Sequence, residues 1–502
     1  MTRHTRNSTA IAVGLIVAAA GITLAAAKQQ DGNTKDLEAS VVKVYVSANP
    51  PDLLSPWQKV GVELATGSGV VIADGRVLTN AHVVEDAVSI EIKRSNSGQR
   101  YVAEVLFIDH ERDLALLTVL DEDFGEGVRP IELGQMPGTQ TVVEAYGFPV
   151  GGETLSVTSG IISRIEVGTY VHAMTSVLAA QIDAAINSGN SGGPVLAGDK
   201  LVGIAVQFLD DAENVGYMIP VSVVQRFLTD LDDGRVDGLP ALGIKVQGME
   251  SPSLRQSLGM ASKQAGTMVT WVDHGGPSDG ILQRRDVLLS IDGDPIANDM
   301  TVAWPRIGRV HFSQAVQSKQ IGETIDVEVL REGQLLSKTI TLSPYKPLVP
   351  GRRRVAAPTY LVFGGVVFLP LDVDYLMYFE EIPYDLGDFA LSRNRVTADR
   401  REIILVQKVL PHPVNRGYQE WEDRPIRSVN GEVPRDMQHL AEIIDNATDP
   451  FLKITTEDDA ILTIDFQAAS SAHARILENF GIAHDRSPDL RATDAARKVE
   501  AR

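Results

Sequence analysis

Asn187-Ser188-Gly189-Asn190-Ser191-Gly192-Gly193-Pro194 sets one serine in a run of glycines closed by a proline. Glycine tolerates the tight, left-handed turns that let the N–H groups of Gly189, Asn190 and Ser191 converge on one point. A serine hydroxyl is a poor nucleophile at neutral pH. It becomes a good one when an imidazole takes its proton and a carboxylate holds that imidazole in one tautomer. Upstream, Thr79-Asn80-Ala81-His82 and Arg112-Asp113-Leu114-Ala115-Leu116-Leu117 offer those groups in His82 and Asp113. Each segment alone has a plainer reading: a structural histidine after a strand, an acidic cap before an apolar strand, an ordinary loop or the nucleophile elbow of an α/β-hydrolase. Order separates these readings, because the elbow runs serine, acid, histidine, whereas this chain runs His82, Asp113, Ser191.

The surroundings read as strands. Val42, Val44 and Val46 alternate with Lys43, Tyr45 and Ser47, the period of a half-buried strand. Asp74-Gly75 between 70–72 and 77–79 signals a hairpin. Further strands fit 102–108, 115–119, 141–146, 156–165, 201–206 and 216–219, and a helix fits 221–231 with Val223, Val224, Phe227, Leu228 and Leu231 on one face. Short strands without alternating helices indicate barrels or sandwiches. The pattern divides the chain into an N-terminal segment (1–34), a first unit (35–235), a second (236–345), an exposed connector (346–358) around Arg352-Arg353-Arg354, a third unit (359–468) and a tail (469–502). A linker is expected at 230–238, a helix near 253–258 and a hairpin at Arg331-Glu332-Gly333. The second and third units share weak features, Leu242-Gly243-Ile244 with Gly364-Gly365-Val366 and Ile291-Asp292-Gly293 with Val429-Asn430-Gly431, which suggests a duplicated module.

Composition narrows the chemistry. The chain has 502 residues, 46 Lys and Arg against 66 Asp and Glu, a net charge of −20, no cysteine and 44% hydrophobic residues. Such a length holds about three domains. Without cysteine there is no disulfide, thiol nucleophile, zinc–thiolate or iron–sulfur centre, so a covalent nucleophile must be oxygen or nitrogen. The acidic balance argues against nucleic acid as partner, since binding phosphates takes clustered Lys and Arg. No His-Glu-x-x-His spacing or Walker-type phosphate loop occurs, so no metal, nucleotide or other cofactor is expected. Arg3 and Arg6 precede an uncharged apolar stretch, 8–27, that ends in Ala25-Ala26-Ala27. This is the pattern of a secretory signal or, at about 20 residues, of an uncleaved membrane anchor. Either way the basic end stays inside and the rest of the chain lies across the membrane.

Ala81-His82-Val83-Val84, Asp113-Leu114-Ala115-Leu116-Leu117 and Gly189-Asn190-Ser191-Gly192-Gly193-Pro194 resemble the three signatures of the HtrA/Deg family of chymotrypsin-fold serine proteases with C-terminal PDZ domains. Asp183-Ala184-Ala185-Ile186-Asn187 is similar to that family as well. Tyr146-Gly147-Phe148-Pro149-Val150-Gly151-Gly152, Ser156-Val157-Thr158-Ser159-Gly160, Leu242-Gly243-Ile244 and Ala297-Asn298-Asp299 resemble its plant-type branch with two PDZ-like domains.

The resemblance implies a mainly β protein, a chymotrypsin-like double β-barrel followed by two PDZ-like α+β domains. It implies His82 as general base, Asp113 as its orienter, Ser191 as nucleophile, and the backbone of Gly189, Asn190 and Ser191 as oxyanion hole. Substrate main chain would pair at Ala205, Val206 and Gln207, beside a pocket bordered by Ala185 and Ile186. Six positions before the nucleophile, where trypsin-type pockets carry the aspartate that pairs Lys or Arg, stands Ala185. Cleavage after small or medium apolar residues is therefore expected. Leu242-Gly243-Ile244 would be a PDZ carboxylate loop that captures peptide C-termini. Phe363-Gly364-Gly365-Val366 is only loosely like such a loop, so the third unit is expected to serve assembly. The family further implies an ATP-independent endopeptidase that acts on unfolded or misfolded proteins as a trimer-based homo-oligomer, here exported to the periplasm or cell envelope. The competing reading is a chaperone or adaptor that holds unfolded clients while its protease domain stays mostly latent.

Overall fold

A computed structural model describes residues 37–95, 97–170, 174–206, 216–351 and 357–491. The N-terminal segment on which the export reading rests lies outside these, as do Arg352-Arg353-Arg354. Among the described residues no helix is long and apolar enough to cross a membrane.

The alternating valines form strand β1 (Val41–Ala48), with Val42, Val44 and Val46 buried. It pairs antiparallel with β2 (Glu63–Val71). Asp74 and Gly75 both take positive φ, 63° and 68°, the mirror-image turn that Asp-Gly permits. The chain returns as β3 (Val77–Thr79), Val71 facing Val77. β4 (Ala87–Arg94), β5 (Tyr101–Asp109) and β6 (Leu114–Val119) complete a closed barrel in the order β1-β2-β3-β6-β5-β4.

A second ring follows, made of β7 (Glu132–Leu133), β8 (Val142–Gly147), β9 (Ser156–Tyr170), β10 (Thr175–Ile182), β11 (Pro194–Ala197), β12 (Lys200–Val206) and β13 (Gly216–Pro220). The sheet runs β11-β8-β9-β10-β13-β12-β7, and pairing of β11 with β12 closes it. The expectation of two barrels is thus met, although β4, β7, β10 and β11 escape the sequence pattern. Thr175–Ile182 is alanine-rich and buried along Val177–Ala180, so it lacks a period of two, and Pro194–Ala197 is only four residues long. Helix α1 (Val221–Asp230) closes the unit, burying Val223, Val224 and Phe227 as its spacing requires.

In the second unit the strands Ile244–Gln247, Thr267–Val272, Val287–Ile291, Thr324–Arg331 and Gln334–Thr341 lie in that order from one edge. The third unit is a six-stranded sheet from Leu361–Phe363 to Ile461–Asp465. The repeat seen in sequence is also structural. Asp292 donates its N–H to Asp326 O at 2.8 Å and accepts the Asp326 N–H on Oδ1 at 2.9 Å. Asn430 does the same with Lys453, at 2.8 and 2.8 Å. Both residues and the glycines after them have positive φ. The same turn is therefore clamped to the same neighbouring strand in both units.

Three stretches differ from expectation. The run at 230–238 is pinned, because buried Arg112 donates to Asp230 at 3.1 Å and to Gly238 O at 3.0 Å, besides pairing with Asp109. Within the connector, Leu348 and Val349 are buried in the third unit's core. Helix Phe466–Asn479 crosses the boundary drawn at 468, and Ile476, Ile482 and Leu490 beyond it are buried. The tail up to residue 491 therefore packs as part of the third unit. Alanine and arginine content hid these docking positions, which are single apolar residues without a repeat. Trp271 lies beneath Arg284 and Arg395, packing rather than offering a free face.

Arg112→Ala would leave two buried carboxylates without their cation, and guanidinium unfolding is expected to show a loss of about 3–5 kcal/mol. An unchanged unfolding midpoint would contradict this.

Candidate active site

His82 follows β3 by three residues, at the mouth of the first barrel. Its main-chain N–H donates to Asp113 Oδ1 at 2.9 Å, and its ring Nδ1 lies 3.0 Å from Oδ1 and 2.8 Å from Oδ2. Asp113, in the turn just before β6, has φ 52°, a left-handed conformation that costs a non-glycine residue free energy. Its surroundings impose that conformation. The Asp113 carbonyl accepts from Asn80 Nδ2 at 2.9 Å, and its N–H donates to His110 O at 3.3 Å. The carboxylate side chain is 2% exposed and the imidazole 19%, so the acid is dry while the base reaches solvent.

Ser191 comes from the second barrel. Asn190 N–H donates to Asn187 O at 2.9 Å around Gly189 at φ 96°, the pattern of a type II turn with glycine third. That bond occupies Asn190 N–H, against the expectation that it joins an oxyanion site, whereas the N–H groups of Gly189 and Ser191 have no acceptor among the described residues. The loop is wedged against neighbouring backbone. A Cβ on Gly192 would sit 2.2 Å from Ser68 O, and one on Gly193 2.0 Å from Tyr146 O.

Two residues without an assigned role in the sequence reading belong to this site. Ser68 donates its N–H to Ser191 O at 2.9 Å and its Oγ to Gly189 O at 2.8 Å, and accepts from Phe148 N–H at 2.8 Å. Gly67-Ser68-Gly69 inside a strand was the available signal, since strand glycines mark close backbone approach. Tyr170, at the end of β9, donates its hydroxyl to Asp113 Oδ2. No local signal distinguishes it from a core tyrosine.

The segment after β8 is braced as well. Lys43, Lys93 and Tyr45 all donate to Glu153 and hold its carboxyl down at about 2. Val150 N–H in the same segment donates to Ser188 O at 2.8 Å, so the first barrel steadies the nucleophile loop from both sides.

Ala185 is exposed, its carbonyl accepting from Thr158 Oγ1 at 3.0 Å. Ile186 packs over β13, where a Cβ on Gly216 would come within 2.6 Å of it. The expected pairing of substrate at Ala205 is not met. Its N–H donates to Gly193 O at 2.8 Å, its carbonyl accepts from Gly192 N–H at 3.0 Å, and it faces Met218 on β13. β12 is interior at this point, and Val206 is fully buried too. Gln207 lies outside the described residues.

In the second unit Leu242 is buried and Gly243 has φ 64°, its carbonyl taken by Asp273 N–H at 2.8 Å. Among the described residues, strand Ile244–Gln247, which follows, pairs on one side only. Gly364 and Gly365 instead form a hairpin turn whose carbonyls accept from Asn415 Nδ2 at 2.9 Å and Leu410 N–H at 2.7 Å. Among the described residues no cluster of acidic or histidine side chains could hold a metal.

Residues 67–204 match the trypsin-like peptidase domain family and 349–489 a PDZ domain family. Protease Do-like 2, chloroplastic, of Arabidopsis thaliana is 36% identical over 458 residues, covering 90% of this chain and 75% of its own. Putative protease Do-like 3, mitochondrial, of the same organism is 34% identical over 452 residues, covering 90% and 80%. A solved HtrA-type protease AlgW with decapeptide is 27% identical, covering 64% of this chain and 98% of its own, with a TM-score of 0.47. The chain belongs to the Do-like (Deg) family of HtrA-type proteases, and with its trypsin-like peptidase domain it is a serine endopeptidase.

Proposed function

We propose that His82, Asp113 and Ser191 are the catalytic triad of an ATP-independent endopeptidase that cleaves unfolded or misfolded proteins. The observation that carries this reading is the contact of His82 Nδ1 with both oxygens of the buried Asp113 carboxylate. In the reaction His82 Nε2 takes the Ser191 proton as Oγ attacks the scissile carbonyl, and Asp113 stabilises the imidazolium that forms. The N–H groups of Gly189 and Ser191 receive the developing oxyanion, each donor contributing about 3–4 kcal/mol in the transition state. His82 then returns the proton to the leaving amine, and water releases the acyl group by the same steps.

Ala185 at the pocket rim favours small or medium apolar side chains over Lys and Arg at P1. The open edge of Ile244–Gln247 behind Leu242-Gly243-Ile244 supports capture of peptide C-termini by β-addition. The third unit, whose glycine turn is filled by Asn415, serves assembly of a trimer-based oligomer. Arg3 and Arg6 ahead of the apolar stretch 8–27 support export to the periplasm or cell envelope.

Ser191→Ala is expected to lower casein turnover by a factor on the order of 10⁴–10⁶ with the fold intact. A fluorophosphonate probe should label wild type at Ser191. Equal, near-zero turnover in wild type and variant would instead favour a holding chaperone. In a peptide library, cleavage is expected after Ala, Val, Ile or Leu, and a preference for Lys or Arg at P1 would refute the pocket assignment.

A further inference from the structure

The Asp113 carboxylate meets three donor groups among the described residues: the His82 main-chain N–H, the His82 ring and the Tyr170 hydroxyl. Two of them come from the first barrel, on the residue that Asp113 is to orient. The third arrives from the second barrel, at the end of β9, with Tyr170 1% exposed. The phenol oxygen also stands 3.3 Å from His82 Nδ1. Its single proton goes to the ionised oxygen Oδ2, which leaves its lone pairs toward the Nδ1–H. One hydroxyl therefore touches both members of the acid–base pair.

The geometry gives that contact a task. A buried carboxylate held from one side can rotate about its Cβ–Cγ bond, and its orientation sets which lone pair meets Nδ1–H. Oδ1 is fixed by the His82 main chain, but nothing in the first barrel except the ring itself fixes Oδ2. A neutral donor there completes the carboxylate's hydrogen bonding without adding a charge that would compete with the imidazolium. Resting on the triad reading above, we propose that Tyr170 is a positioning residue for the peptidase reaction: its hydroxyl, delivered across the cleft, locks the Asp113 carboxylate and through it the tautomer and aim of His82.

The hairpin that carries Tyr170 is anchored on the same side. Thr175, five residues on, donates to Glu111 O at 3.3 Å, two residues before Asp113. Thr169 and Met174 line a cavity of about 600 Å³ shared with Leu376, Ile382 and Leu391 of the third unit. Donor and acceptor are thus tied together by both the side chains and the backbone that bears them.

Tyr170→Phe keeps the ring and removes only the hydroxyl, and Thr169→Ala, which faces the cavity, serves as control. Steady-state cleavage of a short peptide, melting temperature, fluorophosphonate labelling rate and the far-downfield proton resonance of His82 Nδ1–H would be measured on the full chain. In Tyr170→Phe, kcat and labelling rate should fall about tenfold, with KM within about twofold, the size of effect an orienting group has when the reacting side chains are retained. The melting temperature should hold and the Nδ1–H resonance should move, while the control should match wild type in kcat. Unchanged kcat, an unmoved resonance, or a loss only in step with unfolding would overturn the role of Tyr170 and leave the triad intact. Failure of wild type itself to label at Ser191 would remove the triad reading, and this one with it.

Discussion

The N–H of Ser68 holds the main-chain carbonyl of Ser191 at 2.9 Å, and the site depends on that seam between two barrels. Val41, Val70, Leu78, Leu114 and Leu116 of the first barrel share one apolar cluster with the second, so burial holds the barrels together without directional bonds. The seam adds the directional ones at the site. Ser68 takes the Ser191 and Gly189 carbonyls, while Thr79 Oγ1 donates to Ser68 O at 2.7 Å and so ties in the strand that leads to His82. A neutral hydrogen bond contributes only about 1 kcal/mol net, so these few bonds add little to stability. Their effect is positional, and position matters because a misplacement of about 1 Å between nucleophile and base can cost about a hundredfold in rate. Close approach of neighbouring backbone leaves no room for a side chain at 192 and 193, and the Val83 side chain leaves none at 67.

What could be read from the sequence follows from where the determining contacts lie. The proposed triad stood out because nucleophile chemistry requires particular residue types and the order His82, Asp113, Ser191 argues against the competing elbow; the structure brings His82 against Asp113. The strands with alternating or β-branched residues, such as Val42-Lys43-Val44, were legible for the same local reason. Ser68 and Tyr170 were not, since each acts through a partner more than fifty residues away, and a serine in a strand or a tyrosine at its end looks like ordinary packing. The oxyanion assignment erred at Asn190 because composition permits all three N–H groups to converge. Only the turn closed onto Asn187 shows that one is spent. Ala205 failed for a related reason: a strand's hydrophobicity does not say whether its edge is open, and here Gly192 and Gly193 already occupy it.

The repeated turn at Asp292 and Asn430 shows how a weak sequence likeness can rest on strong geometry. Asp and Asn both serve there because the clamp itself needs only Oδ1, accepting one N–H from the next strand, and both tolerate left-handed φ; the second atom differs in use, Asp292 Oδ2 pairing with Lys319 at 2.7 Å and Asn430 Nδ2 donating to Asp449 at 3.3 Å. A match by residue type alone undervalues such a position. The glycines at Gly243 and Gly364 make the opposite case, similar in letters and different in use. One precedes an open strand edge, and the other closes a hairpin with both carbonyls taken.

Three consecutive residues, Glu111, Arg112 and Asp113, join the second unit to His82. Glu111 accepts the Leu239 N–H at 2.7 Å, Arg112 donates to Gly238 O at 3.0 Å, and Asp113 faces His82. Gly238 and Leu239 lead directly into Leu242-Gly243-Ile244. The same short turn therefore carries the contacts of the inter-unit segment and the left-handed φ of Asp113. Arg112 is too deeply buried, and too fully paired with Asp109 and Asp230, to be displaced alone. The segment that enters Leu242-Gly243-Ile244 is thus held by the two residues immediately before Asp113, so one turn fixes both its position and that of the carboxylate facing His82.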